Sequence, residues 1–297
     1  MRKLERQICL WRKTEESKLL LVRRFLWRAF LGSFGLTCLV FGLYVASFYL
    51  QSLIKHQLDA WDITGPGMYH KDRPDSNYAL GAHFVGGAYL MLFGPLQFIP
   101  VIRQKWMTFH RWNGRLSIAG CLLTALGGSY YVCSVGSSQV DFVGQSANWN
   151  NLVFGMAMLT CGIQTYRHAA ITKRIDQHKL WAYRVAALCF GNIFVRIGIW
   201  AMIVVLSIDS DPEGFKDELV HSEVFKSGLN LLLYTFVVPS ILLAGEIWKH
   251  EQRGDSTPSL LFLVFAALLL VLFVLGVALL MLVAWIPFIG RSLDYYN

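Results

Sequence analysis

Four histidines and three arginines stand within or beside long apolar stretches of this chain: His83, His110, His168 and His178, with Arg115, Arg184 and Arg196. In a bilayer such groups persist only where something pairs with them, because an arginine at the midplane costs at least ~3 kcal/mol on insertion scales. A neutral imidazole there ligates a metal or hydrogen-bonds a carbonyl or hydroxyl, and a guanidinium clamps a carboxylate or phosphate. The set points to a held ligand, planar or anionic. Haem is one instance, with imidazole on the iron and arginine on the propionates.

His83 falls early in a span, followed three and four residues on by Gly86 and Gly87. Glycines on that face of the next turn are expected to leave room for something flat. The ring is a candidate haem-iron ligand or a structural hydrogen-bonding group. No other span offers a histidine at its depth, so a second axial ligand would come from Met156, Met202 or the loop residue His221. His110, His168 and His178 gather at one level, near the starts or ends of three neighbouring spans. They read either as a metal or ligand site or as interfacial histidines bonded to carbonyls and headgroups. Arg196 is expected near the midplane, with Asn192 on its face and Gln97 and Gln164 nearer the inside. Its partner is either carbonyls with trapped water or an anion such as a haem propionate or lipid phosphate.

The elements that would position these residues are membrane helices. Apolar residues make up 55% of the chain and charged ones only 15%, more apolar material than one soluble core can hide. Apolar stretches of roughly 20 residues predict an all-α, polytopic transmembrane bundle. The seven spans lie at about 25–50, 79–102, 113–135, 149–167, 182–207, 229–248 and 260–287.

The connections orient the bundle, because short inner loops collect Lys and Arg. Basic residues crowd the N-terminal segment and recur as Arg103, Lys105 and Arg111, as Arg167, Lys173, Arg174 and Lys179, and as Lys249 and Arg253. The alternate connections carry Asp59, Asp62, Asp72 and Asp75, no Lys or Arg at all from Gly136 to Asn148, and then Asp209, Asp211, Glu213, Asp217, Glu218 and Glu223. The N-terminus is therefore expected inside and the C-terminus outside. The net charge of +8 is topogenic and faces anionic membrane lipids. Spread over separate inner segments, it forms no nucleic-acid groove, so no nucleic-acid partner is expected.

The first span is too long and too densely flanked by positive charge for a cleaved signal peptide, and reads as a retained signal anchor. Residues 1–24 are expected as a basic inner segment, either an interfacial amphipathic helix or a solvated tail. Residues 25–287 form a single membrane domain, and 288–297 a short tail. The 6 cysteines show no Cys-x-x-Cys pair and fall mostly in apolar spans, where thiols act as packing groups. Gly120 with Gly127, and Gly155 with Gly162, repeat at two helical turns, which predicts close helix approach on those faces. The last span is nearly bare of polar groups and suits a peripheral, lipid-facing helix.

Several of these residues occur in a recognisable order: His83 with Gly87, Gly94-Pro95-x-Gln97, His110-Arg111-Trp112-x-Gly114-Arg115, and His178-x-x-Trp181-x-x-Arg184 followed by Arg196. Over roughly residues 80–205 the chain resembles the predicted membrane proteins of domain of unknown function 2306. The resemblance implies a core of several membrane helices and marks His83, His110, Arg115, His178, Arg184 and Arg196 as family-type positions, with His168 outside the pattern. The run after the tryptophan is Ala182-Tyr183-Arg184-Val185, which retains the family's arginine and lacks its serine.

The expected functions follow from these residues. One is a b-type haem protein with an electron-transfer role, using His83 on the iron and Arg196 or Arg115 on the propionates. Another is a non-catalytic membrane subunit or assembly factor whose partners are lipids and other membrane protein subunits. The third is a small-molecule transporter, against which stand the missing inverted repeat and the lack of a membrane carboxylate. No Gly-x-Ser-x-Gly elbow, His-Glu-x-x-His or Walker loop is present, and no residue is nominated as catalytic.

Overall fold

Prolines and left-handed residues divide an otherwise unbroken helical pattern into its elements. This is a computed structural model that describes residues 2–63, 67–135, 144–207, 271, 274–279, 281–287 and 289–290. Helix α1 runs over Arg2–Val45, continues through a wider turn at Ala46–Leu50, and closes in the short α2, Gln51–Ile54. Its 44 residues hold no proline, and the first glycine is Gly32. Nothing therefore interrupts the helix between the basic N-terminal stretch and the apolar one. From Arg2 onward the backbone of the 1–24 segment belongs to α1.

Pro74 sits at the first position of α3, Pro74–Phe93, where its missing N–H costs no hydrogen bond. At the other end Pro95 cannot continue the helix. The chain tightens there into a three-residue-per-turn segment, Gly94–Phe98, and Pro100 opens the short α4, Pro100–Lys105. Helix α5 follows at Met107–Val135, α6 at Gly144–Tyr166 and α7 at Ile175–Ser207. Between α6 and α7 a wide turn at Arg167–Ile171 leads to Lys173, whose φ of 53° turns the chain back.

All described secondary structure is helical. Among the described residues, three helices are long and apolar enough to cross a membrane: Leu31–Ile54, Pro74–Phe98 and Met107–Val135. Helices α6 and α7 cover the fourth and fifth expected spans. The sixth, 229–248, lies outside the described residues with His221, as does much of the seventh. The described part of that last span puts Val277 and Trp285 into the core and leaves Leu275, Leu279, Leu282 and Ile286 exposed. Trp285 packs on Phe41 of α1 with ring centroids 4.9 Å apart. One face on α1 and the other outward is the peripheral placement its composition predicts.

The tightest packing is between α3 and α5, and glycine makes it possible. A β-carbon on Gly86 would stand 2.5 Å from the carbonyl oxygen of Gly120, and one on Gly127 would collide with Ala79 O and lie 2.9 Å from His83 N. In the same way α6 turns Gly155 and Gly162 to α5, where β-carbons would meet Ser129 Oγ at 2.6 Å and Cys121 Cβ at 3.1 Å. The two glycine pairs form the predicted small-residue seams.

At the end of the bundle where α3 begins, a polar network replaces these seams. Asp62 Oδ1 accepts hydrogen bonds from the main-chain N–H groups of Met68 and Tyr69 at 2.8 and 2.9 Å. Asn77 holds both polar groups of the His70 main chain, and Tyr131 donates to Met68 O at 3.0 Å. Arg73 donates to Ser134 O, and Ser76 bonds Ser134 at 2.8 Å. Beneath this network Trp61, fully buried, donates its indole N–H to Ser52 Oγ. The opposite end of α3, α5, α6 and α7 carries Arg103, Arg111, Lys173 and Lys179, and is called the basic end below.

Candidate ligand cavity at the basic end

A cavity of about 780 Å³ opens among α1, α3, α5, α6 and α7 at the basic end. It lies beside the two places where α3 and α6 give way to other helical turns, the Gly94–Phe98 segment with Pro95 and the wide turn at Arg167–Ile171. The floor is apolar and sulfur-rich, with Leu90 and Met91 from α3 and the thiols Cys38, Cys121 and Cys189 from α1, α5 and α7. The rim carries Arg103, Arg111, Arg115, Lys173 and Lys179, with Gln97 beside them. An apolar chamber with one cationic edge fits an amphiphile with an anionic end.

His110 and His178 both face this chamber. Helix α5 brings the first from its opening turns and α7 the second. His178 donates Nδ1–H to the main-chain carbonyl of Thr165 at 3.0 Å. That bond fixes the neutral tautomer in which Nε2 carries the lone pair. Nδ1 of His110 is buried with no hydrogen-bond partner. A buried polar atom in that state costs about 1–3 kcal/mol. Gln97 Nε2 donates to His110 O at 3.2 Å and holds that turn against the Gly94–Phe98 segment.

His83 lies elsewhere. Its Nδ1–H donates to Thr124 O across the α3–α5 seam at 2.8 Å, and its ring rests on Gly128, where a β-carbon would be 2.7 Å from Nδ1. The space expected beside Gly86 is filled by the α5 main chain, whereas Gly87 faces no atom within 4 Å. Met156, expected as an axial partner for His83, is instead 58% exposed.

The three inner histidines do not act as one group. His168 bonds Thr172 Oγ1 at 3.0 Å and stays off the cavity wall. Among the described residues no cluster of three or more His, Cys, Asp or Glu side chains is arranged to hold a bare metal ion.

Of the arginines, Arg115 lies on the cavity rim and over the Trp112 ring, 4.8 Å from its centroid. Arg184 stacks 4.2 Å over Trp181, away from the chamber, and its Nε is buried without a hydrogen-bond partner. The backbone of Arg196 belongs to α7, while its side chain and those of Asn192 and Met202 lie outside the described residues.

Sequence reasoning brought His110, His178 and Arg115 to this region and missed most of the rest. Arg103, Arg111, Lys173 and Lys179 read as topogenic charges and the thiols as packing groups. The available signal was adjacency: Arg111 follows His110, and Lys179 follows His178.

No curated protein and no solved structure matches the chain. Residues 80–214, which run from α3 through α7 and carry His83, the cavity histidines and the three arginines, match the family described as predicted membrane protein, DUF2306.

Proposed function

We propose that this chain is a multi-pass membrane protein whose basic-end cavity holds an amphiphile, with its anionic group at the Arg115 and Lys179 rim and its apolar body among Cys38, Leu90 and Cys121. The observation that carries the reading is the 780 Å³ chamber itself, apolar within and ringed by arginine and lysine on one side. An inside N-terminus, as the loop charges suggest, would set this rim at the level of inner-leaflet headgroups.

Haem b, with an electron-transfer role, is the more specific reading. It joins a flat apolar ring to two carboxylates, and the imidazoles of His110 and His178 in the same chamber favour it. His83 would serve such a role only from the side of Gly87, since α5 fills the other.

The test is solvent extraction and mass spectrometry of the detergent-purified chain. A stoichiometric anionic amphiphile, lost on Arg115→Glu/Lys179→Glu substitution, is the expected result. Recovery of detergent alone, from protein of either charge state, would overturn the reading.

A further inference from the structure

We propose that His178 and His110 are the paired axial ligands of an iron porphyrin in the basic-end cavity, with His178 bound through Nε2. This rests on the reading of the cavity as an amphiphile site and names the ligand class within it.

The described residues lack the donors a bare ion needs. A divalent metal held by protein alone takes at least three or four donors, and no such cluster exists among the described residues. Two imidazoles from different helices facing one chamber suit a metal that brings its own equatorial nitrogens.

The tautomer of His178 points the same way. Metal-ligating histidines commonly donate their second ring N–H to a carbonyl, which orients the ring and raises its basicity. The bond to Thr165 O does this and leaves Nε2 as the donor atom. Thr165 lies just before the wide turn Arg167–Ile171, where the α-helical hydrogen-bond ladder changes register. His110 lines the same chamber from α5, and its Nδ1 is buried without a hydrogen-bond partner, so Nε2 is the nitrogen it would offer to the iron.

The surrounding chemistry suits the rest of the porphyrin. Tyr183 and Phe98 stack with centroids 5.6 Å apart at the cavity wall and offer a flat apolar surface. Arg111 and Arg115 lie on the helix that carries His110, within two turns of it, and provide cations for propionates. His83 has the same Nδ1-to-carbonyl bond but does not face the cavity, so the arrangement separates the two sites.

The experiment titrates haemin into the full-length detergent-purified chain and records oxidised and dithionite-reduced spectra for the wild type and for His178→Ala, His110→Ala, His83→Ala and His178→Met. Iron-free protoporphyrin IX, followed by its fluorescence, runs in parallel. A sharp reduced α band in the wild type and in His83→Ala, absent in His178→Ala and His110→Ala and shifted in His178→Met, is the expected result. Size-exclusion elution confirms that the variants are folded, and the shifted band in His178→Met would show a filled site with an altered ligand.

Retention of the wild-type α band in His178→Ala and His110→Ala would overturn the inference. Saturable protoporphyrin binding without any haemin ligation would overturn it while leaving the amphiphile reading intact. Failure of both porphyrins to bind would overturn the inference, and recovery of another anionic amphiphile by extraction would then show the wider reading standing without it.

Discussion

His178 of α7 donates its Nδ1–H to the carbonyl oxygen of Thr165 in α6, 3.0 Å away. The bond clips together two helices whose connection carries a left-handed residue, Lys173, and sets the ring at the cavity wall. Replacing His178 by Ala removes both the clip and a chamber wall, whereas His178→Asn keeps a donor. The alanine variant is expected to lose about 1–2 kcal/mol, read as a lower melting temperature in detergent, and the asparagine variant to recover part of that loss.

His83 predicts a different outcome. Its bond to Thr124 O lies in the α3–α5 seam, so His83→Ala is expected to destabilise the fold by about 1–3 kcal/mol without changing the ligand recovered by extraction. Loss of ligand at unchanged thermal stability would contradict the placement.

The glycine seam predicts a steep cost for small additions. A methyl on Gly127 meets main-chain atoms of Ala79 and His83, which cannot swing aside as a side chain does. Gly127→Ala is expected to cost about 1–3 kcal/mol, while Gly87→Ala, facing open space, is expected to be neutral. Thermal unfolding of both variants in one detergent checks the contrast.

Trp61 and Ser52 are both fully buried and bonded to each other. Ser52→Ala removes the indole's bond to the Ser52 hydroxyl, at an expected cost of about 1–3 kcal/mol. Thermal unfolding of the variant, followed by tryptophan fluorescence, checks it; an unchanged midpoint would show that the bond contributes little.

Orientation is tested with single cysteines in a cysteine-free background. Lys71→Cys, in the loop before α3, is expected to react with an impermeant maleimide on intact cells. Lys173→Cys, at the basic end, is expected to react only after permeabilisation. The reverse pattern would invert the topology.

Much of the fold is legible in the sequence for a simple physical reason. A bilayer forces the backbone to satisfy its own hydrogen bonds, so apolar length alone announces a helix. The Gly120/Gly127 and Gly155/Gly162 spacings announced their seams because glycine has no side chain to obscure its role. The continuity of α1 was harder to see, since charge changes along it while the backbone does not.

The cavity was only partly legible. His110 and His178 stood out, but the chamber lies beside two helix ends, at Pro95 and at the turn after Tyr166, that no residue pattern relates to each other. The space expected at Gly86 failed for the converse reason. A glycine marks either a void or a close approach, and only the position of α5 distinguishes them.

The seam between α3 and α5 also bears on how the chamber exchanges its contents. With main chain against main chain along two turns, α3 and α5 cannot slide past one another without collision. Passage into the cavity then falls to the basic rim, beside the α6–α7 turn that carries Lys173. The rate at which that side breathes, rather than the strength of the grip within, would set how long a bound molecule resides.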